Sequence, residues 1–311
     1  MKILIELPSW LGDTVMSTPS IDNLISHYQD VEITLIGSLV SIEVLRNHPK
    51  VVKTFVISKR YRFLMNFAKQ LGRFDIFFSF RGSFRSKLLK LCISSNNKFQ
   101  FDHNLYKNLH QVEKYNNFIN DCLNTNLSPG YLNVNLSLSV KDIGSVSFLG
   151  INPGASYGES KQWYPEEFSE VAAELSNKFN ILIFGGPSEI QIADEIENLL
   201  IKKGIFNYQN LAGKTSVVDL INHISKLDLF ISGDSGPMHL AASFKVPTVA
   251  IFGPTKDNET SQWRNEKSII VKKDLECQPC MKRQCPLGHH NCMKLITAKD
   301  VLKAVNSLIV K

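Results

Sequence analysis

Short apolar, β-rich runs alternate with amphipathic helical runs along this chain, and the alternation happens twice. In the first half, Ile3–Leu7, Glu32–Ile36, Val51–Ile57 and Phe74–Phe80 have the branched and aromatic composition of strands. Between them, Thr14–Tyr28 and the spacing of Phe63, Leu64, Phe67, Ala68 and Leu71 follow a helical period. The second series predicts strands over Phe148–Ile151, Ile181–Phe184, Leu229–Ser232 and within Val246–Phe252, with helices over Glu166–Lys178, Ser188–Leu200, Val217–Lys226 and Thr297–Val310. Such alternation folds into a parallel sheet covered by helices on both faces, which takes ligands at the carboxyl ends of its strands. Two series in 311 residues predict two open α/β domains with a cleft between them. The pattern loosens from Ser137 to Ser147, so the expected domains are 1–143 and 144–295, with a closing helix in 296–311 placed to pack back toward the first domain.

Composition narrows the class. With 43% hydrophobic and 21% charged residues the chain reads as globular rather than disordered. No run approaches the roughly 18 unbroken apolar residues of a membrane helix. The apolar start, Ile3–Leu7, is too short for a signal-peptide core and is broken by Glu6, which predicts a cytoplasmic chain whose six cysteines stay reduced. Charge is uneven: between Lys59 and Lys114 twelve Lys or Arg face only Asp75, Asp102 and Glu113, a surplus of nine in a chain whose net charge is +6. A basic sector in one half points to an anionic partner, whether membrane surface, phosphorylated lipid or nucleic acid. Nucleic acid fits worst, because Phe77, Phe78 and Phe80 read as a buried strand rather than a stacking surface.

Chemistry-bearing residues cluster where strands are predicted to end. Leu229–Ser232 followed by Gly233-Asp234-Ser235-Gly236-Pro237 is a strand, a turn and a helix start, an arrangement that presents N–H groups to an anion. Capping of that helix by Asp234 or Ser235 is the plainer alternative. Asp13 follows the first strand and is either a base or a helix cap. After the strand at 148–151, Ser156, Ser160 and Lys161 offer hydroxyls and a cation suited to a diphosphate. Gly213-Lys214-Thr215 imitates a P-loop but fails, because Tyr208 stands where its first glycine belongs. Nor does any G-x-G-x-x-G follow a strand. Cys277-x-x-Cys280-x(4)-Cys285-x(6)-Cys292 begins with zinc-ligand spacing, but its remainder matches no zinc motif, so loop-stabilising thiols and no metal are expected.

Taken together these segments resemble the lipopolysaccharide-core heptosyltransferases, glycosyltransferases of family 9 with two Rossmann-like domains in the GT-B arrangement. The resemblance is carried by Leu7-Pro-Ser-Trp-Leu-Gly-Asp13 with Met16-Ser17, by His110-x-Val112-x-x-Tyr115, and by Gly154–Pro165. It continues through Leu211-Ala-Gly-Lys-Thr215, Gly233–Ala242 and Phe252-Gly-Pro-Thr255. Pro8-Ser9-Trp10 is more similar to the second heptosyltransferase of the pathway than to the first. The resemblance implies inverting, metal-independent transfer of heptose from ADP-heptose to the first heptose of an inner core carried on lipid A, at the cytoplasmic face of the inner membrane. It implies that Asp13 is the base and that Lys161 neutralises the departing ADP. Ser156, Glu189, Thr215, Asp234, Ser235, Gly236 and His239 would bind the donor, with Asp234 taking heptose hydroxyls. Arg81 and Arg85, at the end of the strand Phe74–Phe80, and His110 are assigned to the anionic glycolipid acceptor. A first-heptose or related transferase is the alternative within this chemistry. A non-catalytic nucleotide- or nucleic-acid-binding protein is the alternative outside it.

Overall fold

The computed structural model describes residues 1–28, 30–57, 64–136, 146–155 and 157–309. The chain divides into two compact units, Met1–Ser137 and Leu138–Lys311. Most of the expected linker, and Ser156, lie outside the described residues.

In the first unit the elements run β1 (Lys2–Glu6), α1 (Leu11–His27), β2 (Glu32–Gly37), α2 (Leu39–Leu45), β3 (Val51–Val56), α3 (Leu64–Leu71), β4 (Arg73–Ser79), α4 (Phe84–Cys92), β5 (Ser94–Gln100) and α5 (Gln111–Leu123). The sheet is parallel in the order β3-β2-β1-β4-β5. β1 is buried from Ile3 to Glu6 because it is central, whereas β5 is an edge strand whose polar sequence, SSNNKFQ, has no apolar alternation to announce it. α1 packs on α2 and α5, and α3 on α4. The side chains of Phe78, Phe80, Phe101, Tyr115 and Phe118 interlock between β4 and α5, with ring centroids 5.0–6.3 Å apart. Each such pair adds about 0.5–1.5 kcal/mol beyond area burial. Phe77, Phe78 and Phe80 are buried, as expected, and offer no stacking surface.

The second unit contains β6 (Phe148–Asn152), α6 (Pro165–Leu175), β7 (Asn180–Ile183), α7 (Ile190–Lys202), β8 (Tyr208–Asn210), α8 (Val217–Ile224), β9 (Leu229–Gly233), α9 (Gly236–Ser243), β10 (Thr248–Ile251), α10 (Asp257–Thr260), β11 (Ser268–Val271), α11 (Asn291–Lys294) and α12 (Ala298–Ile309). Its parallel sheet has the order β11-β10-β9-β6-β7-β8. One core joins β6, β7, β9 and β10 to α6, α7 and α12. The closing helix α12 packs on α6 and β11, within this second unit. Buried Trp163 ties the segments together by donating its indole N–H to Ile296 O at 2.9 Å.

In both sheets every strand is parallel but the strand order reverses at the centre, between β1 and β4 in one and between β6 and β9 in the other. In open α/β sheets that switch point is where the loops leaving neighbouring strands part and leave room for a ligand.

Candidate active site

In the first unit, the loop leaving β1 is Leu7–Trp10. Leu7 N–H bonds Ile36 O at 2.9 Å, Ser38 Oγ donates to Ser9 O at 3.1 Å, and Ser41 Oγ donates to Pro8 O. Thr14 then turns the chain into α1 by donating both its N–H and its hydroxyl to Trp10 O, at 3.0 and 2.9 Å. The helix therefore starts at Leu11, three residues earlier than the sequence pattern suggests, and its N-cap position is Trp10. Asp13 lies inside the first helical turn and is not the cap. Its charge is felt by Tyr115 on α5, whose phenol is held well above the usual range first by burial and then by Asp13. His110, at the N-cap of α5, is buried and accepts Val112 N–H on Nδ1 at 3.2 Å, while Glu113 accepts His110 N–H at 3.0 Å. This capping box leaves the imidazole proton on Nε2 if the ring is neutral.

Across the switch point, Ser79, Arg81 and Arg85 gather around a carboxylate that sequence reasoning passed over. Glu6 is fully buried at the end of β1, in register with Ser79 of β4. Its Oε2 accepts Ser79 Oγ at 2.6 Å, its Oε1 accepts Ser86 Oγ at 3.0 Å, and Arg81 Nη1 stands 3.6 Å from Oε1. Gln100 Nε2 also donates to Arg81 O at 2.9 Å. Burial raises the Glu6 pKa, opposed by Ser79, Arg81, Ser86 and Arg85. Such a carboxyl holds its proton more tightly in the folded chain than in the unfolded one. Its contribution to stability therefore falls as pH rises from the ordinary value of 4.5 through the raised one. Glu6→Gln is expected to remove that loss, so chemical denaturation should show wild type losing ground to the variant as pH increases. A difference between the two that does not change with pH would contradict the assignment.

In the second unit, the loop after β6 meets the turn after β9. Asn152 is in register with Ser232, and its Nδ2 donates to Gly154 O at 3.1 Å and Ser235 Oγ at 3.3 Å. Ser232 and Ser235 share a hydroxyl–hydroxyl bond of 2.8 Å. Ser235 occupies the N-cap position of α9 but makes no side-chain cap, and Pro237 fills the first turn. Asp234 does not cap either. Its Oδ2 accepts Lys161 Nζ at 2.5 Å and Thr255 Oγ1 at 2.7 Å, and Lys161 also reaches Asp234 O at 3.3 Å. The pair is largely buried, with side-chain exposures of 12% for Lys161 and 6% for Asp234. The ammonium also lies 4.7 Å from the centre of the Tyr157 ring.

The backbone around Lys161 is clamped by the loop between β11 and α11. Tyr157 Oη donates to Met281 O at 2.8 Å, Ser160 Oγ to Lys282 O at 2.6 Å and Ser160 N–H to Arg283 O at 3.1 Å. A side chain at Gly158 would meet Arg283 O at 2.5 Å. Cys277, Cys280, Cys285 and Cys292 line one cavity of about 20 Å³ in that loop, together with His289 and His290. All are free thiols, and among the described residues no group of three His, Cys, Asp or Glu is arranged to hold a metal.

Glu189 is buried after β7, accepting Gly186 N–H on Oε2, and its carboxyl group lies against Gly154, where a Cβ would stand 2.2 Å from Glu189 Cδ. Thr215 precedes the N-cap of α8, and His239 is buried on α9. The structure thus joins Lys161, Asp234 and Ser235 at one switch point, and Arg81 and Arg85 at the other, near β1. Thr255, Asn152 and Glu6 were missed. Thr255 and Asn152 each had a signal, Thr255 in its place in Phe252-Gly-Pro-Thr255 after a predicted strand and Asn152 in directly following the strand predicted over Phe148–Ile151.

Residues 64–291 match glycosyltransferase family 9 (heptosyltransferase). The chain belongs to this family. It is a glycosyltransferase. Lipooligosaccharide heptosyltransferase 2 of Campylobacter jejuni is 40% identical, over 99% of this chain and 98% of its own. The structure of E. coli ADP-heptose LPS heptosyltransferase II superposes with a TM-score of 0.81 at 21% identity, covering 100% of this chain and 99% of that one. The E. coli heptosyltransferase WaaC, solved with ADP, gives 0.78 at 16% identity over 99% and 100%. At such identities the likeness concerns the fold, which is the GT-B type expected from the sequence.

Proposed function

We propose that this transferase moves heptose from ADP-L-glycero-β-D-manno-heptose to the first heptose of the lipopolysaccharide or lipooligosaccharide inner core, as the second heptosyltransferase. The observation that carries the donor half is the pairing of Lys161 with Asp234 at a switch point, beside the uncapped start of α9. A diphosphate there is met by the Lys161 ammonium and by helix N–H groups such as those of Gly236 and Met238. Asp234 orients Lys161 through Oδ2, while Glu189 and Thr215 serve the nucleoside and His239 the diphosphate or sugar.

The step is a single displacement. An acceptor hydroxyl oxygen attacks the anomeric carbon, the bond from that carbon to the ADP oxygen breaks, and the hydroxyl proton passes to Asp13. Charge growing on ADP is compensated by Lys161 and the helix dipole, so no divalent ion is needed. Arg81 and Arg85 take acceptor phosphate, and His110, at the N-cap of α5, serves the same acceptor. The place of action is the cytoplasmic face of the inner membrane, reached peripherally; no helix among the described residues is long and apolar enough to cross it.

Purified chain should release ADP from ADP-heptose only when one-heptose core glycolipid is supplied, and should do so equally in EDTA without added magnesium or manganese. Mass spectrometry of the product should show one added heptose, and NMR an inverted anomeric configuration. Transfer to heptose-free core instead would make it a first heptosyltransferase.

A further inference from the structure

Helix α4 breaks the rule that the outer stripe of a surface helix is polar. Its inner face buries Ser86 and Leu89, yet Phe84 is 70% exposed and Leu91 is 76% exposed. These two stand seven residues apart and so lie on one stripe of the helix, with exposed Lys87 between them. Neighbouring α3 behaves alike: Leu64 and Ala68 are buried, and Met65 is 61% exposed beside exposed Lys69. Neither helix contains a carboxylate, while α4 carries Arg85, Lys87 and Lys90. The acid between them, Asp75, is on β4 and accepts Lys2 N–H at 2.7 Å.

A solvated face would carry both signs of charge, and a protein-binding face of this kind would want acidic partners in a defined groove. Large apolar side chains projecting between lysines, with no acid, match the interfacial layer of an anionic bilayer, where apolar tips enter the acyl boundary and ammonium groups meet phosphates. We propose that the outer face of α4, aided by α3, is the surface by which this transferase docks on membranes rich in anionic phospholipid. This deepens, and rests on, the reading of the acceptor as a membrane glycolipid.

The test uses the full chain with vesicles alone, without donor or acceptor, so that its failure is distinct from failure of the transferase reading. Wild type should co-sediment with phosphatidylglycerol-containing vesicles and not with pure phosphatidylcholine, and the binding should weaken with salt. Phe84→Ser with Leu91→Ser should lower partitioning at least about tenfold, and Lys87→Glu roughly fivefold or more. Transfer to a deacylated, water-soluble acceptor should be unchanged in these variants. In a separate variant, Phe84→Trp, emission should shift to the blue on adding anionic vesicles and be quenched by brominated lipid, which reads insertion without relying on a loss. Three results would each overturn the proposal: no binding by wild type, equal binding by the variants, or a dimer of this chain that Phe84→Ser dissolves without any vesicle binding.

Discussion

Asp13→Asn is expected to lower kcat by about 10²–10⁴, the range a positioned general base contributes, while changing ADP affinity by no more than a few-fold. The substitution preserves the shape of the side chain and removes its ability to take a proton. It falls in the first turn of α1, where Thr14 and Trp10 already secure the helix start, so the fold should not depend on the carboxylate. Calorimetry with ADP separates donor binding from chemistry, and thermal unfolding checks the fold. Because the proton is lost only as the acceptor attacks, KM should move little while kcat collapses. Wild-type kcat in the substituted enzyme would remove Asp13 from the mechanism.

Lys161→Met should act on both rate and stability. Loss of the cation beside the leaving group is expected to cost about 10²–10³ in kcat. It also strands Asp234, whose side chain is 6% exposed, and an uncompensated buried charge costs about 3–5 kcal/mol. Adding Asp234→Asn should restore much of the stability, because the orphaned charge disappears, but none of the rate. That double-mutant comparison divides the two roles. If rate and stability recovered together, Lys161 would be only a structural partner of Asp234.

Much of this site was legible as positions in the chain. Strand–helix alternation places Asp13, Lys161, Glu189, Asp234 and Arg81 in segments that follow predicted strands, and each of them does follow a strand, whereas Thr215 follows β8, a strand of three residues that the alternation did not announce. Partnership was not legible. Sequence reading set Lys161 on the diphosphate and Asp234 on the sugar, 73 residues apart, and the fold makes them an ion pair. Glu6 looked like a polar interruption of a strand, but burial beside Ser79, Ser86 and Arg81 makes it a buried anchor in the first unit. β5 escaped notice because an edge strand needs no apolar alternation, and α4 because Phe84 and Leu91 face outward and blur its apolar stripe.

The sequence by itself determined the class of fold and where its turns fall, because the periods of strand and helix and the glycines and prolines between them are local properties of the chain. Tertiary structure alone decided which side chains meet. Sheet order brings the loop after β6 against the turn after β9, and β1 against β4, and the resulting burial turns isolated charges into pairs whose energies depend on contact at a few ångströms.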